Sequence, residues 1–248
     1  MRERYSGLFM VLAIGLVLVS LILATKLKTV SISQEISGLP NTISVSGQSY
    51  VTVEPDKAEL YVAVVTEGSS ALEVQQSNAE LTNDVIDALK DKGVGKDDIE
   101  TYRYDLYPRR SYEKPGPEII GYELTHTLKV TTKKISDVGK LVDAAVLAGA
   151  NRIERVVFGL TEETQQDAYS DALVLASGNA EEKAEVLADN LGIGVGKVIS
   201  VSESGAVYRP FDVYPTLARA EIGAAEPTQI SPQDIEVSAY ISLVFEIQ

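Results

Sequence analysis

The residues able to carry proton or metal chemistry are few. There is one histidine, His126, and no cysteine, which excludes disulfides, thiolate metal sites and thiol nucleophiles. A metal centre would want several histidines or carboxylates converging, and a lone histidine allows neither an H-x-H nor an H-E-x-x-H pattern. His126 falls on the apolar register of its strand, as expected of a buried or interface histidine making one hydrogen bond. A Ser-His-Asp triad could draw on it, but no G-x-S-x-G elbow is present, so a hydrolase using His126 stands only as an alternative. The run Gly192-Ile193-Gly194-Val195-Gly196-Lys197 lacks the G-x-x-x-x-G-K-[ST] spacing of a phosphate loop. It also ends a helix instead of opening one, where the dipole disfavours phosphate, and it reads as a helix stop followed by a turn. Helical carboxylates such as Glu162-Glu163 and Glu181-Glu182 read as a solvated face. No catalytic, cofactor-binding or metal-ligating residue is assigned, and no cofactor is expected.

Recognition chemistry is richer. Tyr102, Tyr104, Tyr107, Arg109, Arg110 and Tyr112 lie on and beside one projecting loop; Tyr208, Arg209, Phe211, Tyr214 and Arg219 lie on a second excursion. Tyrosine and arginine are enriched at interface hot spots. They stand here on an acidic body. The net charge is −14; residues 1–41 carry Arg2, Arg4, Lys26 and Lys28 against Glu3 and Glu35, a net of +2, which leaves −16 for the rest. Such a body repels phosphate backbones, so nucleic acid is not an expected partner. Aromatic and basic loops on it could dock on acidic faces of neighbouring copies, which makes these residues a candidate interface for a homo-oligomer.

The elements that position these residues begin after an apolar N-terminal stretch. Leu8 to Ala24 reads LFMVLAIGLVLVSLILA, without a charge. Taken over 8–25, it is long enough for a spanning helix of about 17–25 residues. Residues 1–7 then form a short cytoplasmic N-terminus, 8–25 a signal anchor, and 26–41 a polar linker. Residues 42–248 form one domain on the far side of the membrane, periplasmic or at the cell surface. A cleaved signal peptide is the rival reading; the long apolar run and the poor cleavage site at Leu23–Leu27 count against it.

Within 42–248 the periodicity alternates between two and 3.6. Ile43, Val45, Val51 and Val53 share one face of a first strand; Gly47 in its middle predicts a bulge or a close backbone approach. After the Glu54-Pro55-Asp56 turn, Ala58, Leu60, Val62 and Val64 mark a second strand, and the two together predict a hairpin. Ser70-Ala71-Leu72-Glu73 is a capping box opening a helix that ends at Gly93. Ile99–Leu106 reads as a strand, 107–117 as the projecting loop, and Ile120–Val130 as another strand. Ser136 is expected to cap a helix ended by Gly149. Val156, Phe158 and Leu160 mark a strand, and Thr161 caps a long helix with small residues at Ala168, Ala172, Ala176, Ala180, Ala184 and Ala188. Lys197–Ser202 is a short strand, 205–234 an irregular excursion with four prolines, and Ile235–Ile247 a strictly alternating final strand. The expected architecture is α+β, β-β-α-β-β-α-β-α-β-β, with a mixed or antiparallel sheet and helices packed on one side, preceded by one transmembrane helix.

Several of these segments resemble a known family. Ile43-Ser44-Val45-Ser46-Gly47 followed by Pro55-Asp56-Lys57-Ala58 is similar to the opening strand and Pro-Asp-x-Ala turn of the SIMPL-domain family, which includes YggE-like periplasmic proteins and outer-membrane immunogens. Asn78-Ala79 with Val85–Lys90, Gly121-Tyr122, Val138–Ala145 running to Asn151, and Asp171-Ala172 leading to Leu187-Ala188 follow in the family's order. The resemblance covers about residues 42–248. It implies an extracytoplasmic module of largely unknown biochemical function. It further implies a link to envelope stress and oxidative-stress tolerance, and assembly into ring-like or channel-like oligomers. The family has no agreed catalytic residues, so none is carried over. The functional expectation is a non-enzymatic, membrane-tethered, self-assembling module; a binding module for an envelope lipid, peptide or glycan is the second reading.

Overall fold

The alternating segments fold as strands β1 (Thr42–Val53) and β2 (Lys57–Gly68), and the capping box opens helix α1 (Ala71–Asp91). The structure is a computed structural model that describes residues 41–113, 116–214 and 228–248. The expected anchor 8–25, the linker up to residue 40 and Arg219 lie outside those residues. Among the described residues, no helix is long and apolar enough to cross a membrane. The chain continues through β3 (Ile99–Ser111), β4 (Glu118–Thr132), α2 (Val138–Leu147), β5 (Arg152–Gly159), α3 (Glu162–Leu191), β6 (Val195–Tyr208), β7 (Phe211–Val213) and β8 (Ile235–Ile247). The expected order holds, with the short β7 added inside the excursion.

The strands form two antiparallel sheets instead of one. The larger has the order β3-β4-β2-β5-β7 and the smaller β1-β8-β6. Helices α1 and α2 cover one face of the larger sheet: Val85 and Leu89 with Val138, Leu141, Val142 and Ala145 bury Leu60, Val62, Val64, Leu128, Val130, Val156 and Phe158. Helix α3 covers one face of the smaller sheet, packing its alanines against Val45, Ala239, Ile241, Leu243 and Phe245.

The expected β1–β2 hairpin does not form. β1 pairs with β8 along its whole length, and β2 pairs with β4 and β5. The Glu54-Pro55-Asp56 segment carries the chain from one sheet to the other, and Asp56 fixes the crossing. Its carboxylate accepts from the backbone N–H of Thr161 (2.6 Å) and from the hydroxyls of Thr161 (2.6 Å) and Thr164 (2.5 Å), at the positive end of α3. Burial pushes the Asp56 carboxyl up, but these hydrogen bonds outweigh it and hold the group below its usual 3.8. The Pro-Asp pair therefore acts as a joint between the sheets.

Local punctuation follows the chain as expected at most ends. Ser70 accepts from the Glu73 N–H (3.2 Å), and Glu73 accepts in return from Ser69 (2.8 Å to its hydroxyl). Gly93, Gly149 and Gly192 have positive φ at the three helix stops. Ser136 does not cap α2; it lies inside a 3₁₀ turn, Ile135–Asp137, that leads directly into the helix.

Gly47 produces no bulge, since the β1–β8 register is unbroken across it. It marks a close approach: a Cβ there would lie 1.9 Å from the carbonyl oxygen of Ala176 and 2.8 Å from the amide nitrogen of Ala180. The six small residues from Ala168 to Ala188 recur every fourth position and are all buried. They form one inclined ridge that lets the helix backbone settle onto the sheet.

Candidate functional site

β3 and β4 make a long hairpin at the edge of the larger sheet. The sequence suggested that the strand ends near Leu106, but β3 runs on to Ser111, so Tyr107, Arg109 and Arg110 are strand residues. Pro108 does not break the strand because β3 is an outer strand, where a missing N–H can face away from the ladder. Two register shifts, at Thr101–Arg103 and Arg109–Arg110, twist this strand.

The shift at Tyr102 sends neighbouring aromatics to opposite faces. Tyr104 lies beside His126 on the face that carries α1 and α2, with the rings edge-on at 5.1 Å. The Thr101 hydroxyl lies 3.0 Å from His126 Nε2. Burial alone lowers the His126 pKa from its usual 6.5. Among the described residues its partners are the Thr101 hydroxyl and the Tyr104 ring. Among the described residues, no group of three or more His, Asp or Glu side chains is placed to hold a metal ion.

Tyr102 packs on the other face, edge-on to Tyr61 at 4.8 Å, and the Arg155 guanidinium covers the Tyr61 ring at 4.3 Å. Around them Arg103 pairs with Glu154 (3.2 Å), Glu154 also accepts from Thr127 (3.2 Å), and Tyr61 donates to Glu59 (3.1 Å). Burial, followed by the hydrogen bond to and charge of Glu59, raises the Tyr61 phenol above its usual 10. Thr127, beneath these side chains, is fully buried.

Toward the hairpin end the side chains are freer. Tyr107 and Tyr112 are 60% and 75% exposed, and with Pro108 and Arg110 they line one shallow trough. Arg109 pairs with Glu67, whereas Arg110 has no ion pair among the described residues.

The second group divides differently. Tyr208 accepts a hydrogen bond from the Leu160 N–H (2.9 Å), and its hydroxyl occupies the space a side chain at Gly159 would need. Phe211 opposes Phe158 across β5–β7 and packs on the main core. Tyr208, on the smaller sheet, thus ties to the chain leaving β5, whereas Phe211 stays within the larger sheet. Arg209 and Tyr214 are exposed, and Arg209 lines an open trough with Pro210, Asp234 and Glu236. The glycine-rich run after α3 starts β6: Gly194 bonds reciprocally with Gln248, and Lys197 lies 3.7 Å from Glu246.

The outward side of α3 escaped the sequence reading except as a solvated face. It carries eight carboxylates against Lys183, and none of these carboxylates makes an ion pair among the described residues. Val174, Leu175, Val186 and Leu187 are exposed among them. The signal was present in the sequence: a helix with a complete alanine face had no inward place left for these aliphatic residues.

The sequence of the folded part matches a known family. The SIMPL family model (protein of unknown function, DUF541) matches residues 43–245, and the chain belongs to that family. Among its relatives is the 26 kDa periplasmic immunogenic protein of Brucella abortus (strain S19), 29% identical over 216 residues that cover 84% of this chain and 86% of the relative. The uncharacterized protein YggE of Escherichia coli (strain K12) is 26% identical over 207 residues, covering 83% of each chain.

Proposed function

We propose that this chain is a non-enzymatic extracytoplasmic module, tethered to the membrane by residues 8–25, which assembles with copies of itself. The observation that carries the reading is the projecting hairpin, which presents Tyr107, Arg110 and Tyr112 together at the surface of an acidic domain. Tyr and Arg so placed supply large contact area and charge-assisted hydrogen bonds. Tyr102 and Tyr104 anchor β3 on its two faces, against Tyr61 and His126. The printed name of the Brucella relative, a periplasmic protein, supports the same side of the membrane. An uncleaved anchor would confine the copies to two dimensions and raise their effective concentration. A role in envelope or oxidative-stress tolerance rests on the family resemblance.

The His126 setting favours the non-enzymatic reading over a hydrolase, since its neighbours are Thr101 and Tyr104. The troughs at Tyr107–Tyr112 and around Arg209 are open to solvent, which favours a protein partner over an engulfed small ligand. Light scattering on the detergent-solubilised full chain tests the assembly. A mass of several copies is expected, and a monomer that persists at high concentration overturns it.

A further inference from the structure

We propose that the hairpin end of one copy docks on the outward face of α3 of a second copy, along the aliphatic trough at Val186 and Leu187. The inference rests on the assembly reading above and names its contact. The two surfaces are complementary in both polarity and charge. On the hairpin, Tyr107 and Tyr112 are exposed and Arg110 has no ion pair among the described residues. On α3, Val186 and Leu187 are 53% and 42% exposed and line a trough with Asn179, Glu182 and Lys183.

The helix surface around that trough is acidic, with eight carboxylates against one cation, Lys183, which itself lines the trough. Glu182 lines the trough, Glu185 directly precedes Val186 in the helix, and neither makes an ion pair among the described residues. Lys183, the helix's only cation, is directed to the Ser46 carbonyl on β1. An arginine arriving with two tyrosines therefore meets free carboxylates bordering an apolar strip, a pairing that supplies both hot-spot area and electrostatic steering. The hairpin belongs to the larger sheet and α3 packs on the smaller one, so each chain offers the two halves at different places. A contact between unlike surfaces is heterologous and propagates into a closed ring or an open filament.

The absence of cysteine makes the test direct. Full-length chain carrying both Tyr112→Cys and Val186→Cys is solubilised in detergent and treated with a short bis-maleimide. The expected result is a ladder of dimers, trimers and higher species. A mixture of the two single variants should stop at cross-linked dimers. Independently, Arg110→Glu should raise the concentration of half-assembly roughly tenfold, and adding Glu182→Arg should restore it. An oligomer that shows no ladder and does not respond to Arg110→Glu overturns this contact while leaving assembly standing. A monomer under all conditions overturns both.

Discussion

His126 is the residue whose chemistry can be read most cleanly, because no other histidine signal exists to confuse it. Burial lowers its pKa below 6.5, so the unfolded chain binds the proton more tightly than the folded one. Stability from this group is complete above the unfolded value and falls as pH drops through the lower folded value. A histidine NMR titration should show the depressed pKa. His126→Gln should remove that acid-side loss from denaturation curves; an ordinary pKa near 6.5 would contradict the packing described for this ring. Gly47 is the opposite kind of residue, important for what it lacks. Because backbone atoms of α3 occupy the space of its Cβ, Gly47→Ala should destabilise by about 3 kcal/mol or more, lowering the melting temperature by about 6–12 °C. An unchanged melting curve would mean that helix and strand are not in contact there. A glycine inside an alternating strand fits a bulge and a close approach equally, and only the neighbouring helix separates the two.

Element ends were legible for a local reason. Capping and left-handed stops depend on residues within one turn, as at Ser70–Glu73 and at Gly93, Gly149 and Gly192. The true length of β3 is not local information, since Pro108 is tolerable in a strand only because β3 lies at the sheet edge. Helix α3 shows both sides of the matter. Its alanine ridge was visible at every fourth residue, but the partner of that ridge was not. Asn179 and Lys183 also reach the Gln48 and Ser46 carbonyls of β1, which is itself an outer strand. Such contacts cover polar backbone that could otherwise recruit another strand.

At the scale of the molecule, β8 is the element on which the smaller sheet depends. It lies between β1 and β6, and its Ile235, Val237, Ile241, Leu243 and Phe245 are buried. The first strand of the domain is thus completed by the last, so the sheet closes only when the whole chain is present. A chain ending before Ile235 should leave β1 and β6 unpaired and fail to give a protease-resistant domain. Recovery of a domain with native resistance from that truncation would refute the topology. Long-range closure of this kind also makes slow folding the expectation, since the entropy of bringing the ends together precedes the contacts that compensate it.

The element order, the helix stops, the alanine ridge, the acidic body and the family resemblance at Pro55-Asp56-Lys57-Ala58 follow from the chain pattern alone. All of these are written in neighbouring residues or in periodicity, because caps, turns and amphipathic faces are local interactions. Tertiary structure decided which strands pair, that the sheet is two sheets, and that Asp56 joins them at the start of α3. It also sorted the aromatics, placing Tyr208 between the sheets and Phe211 on the larger sheet's core and leaving Tyr107 and Tyr112 outside. An alternating strand carries one apolar face whichever neighbour it takes, so pairing is settled only by the competition of all strands for partners across the fold.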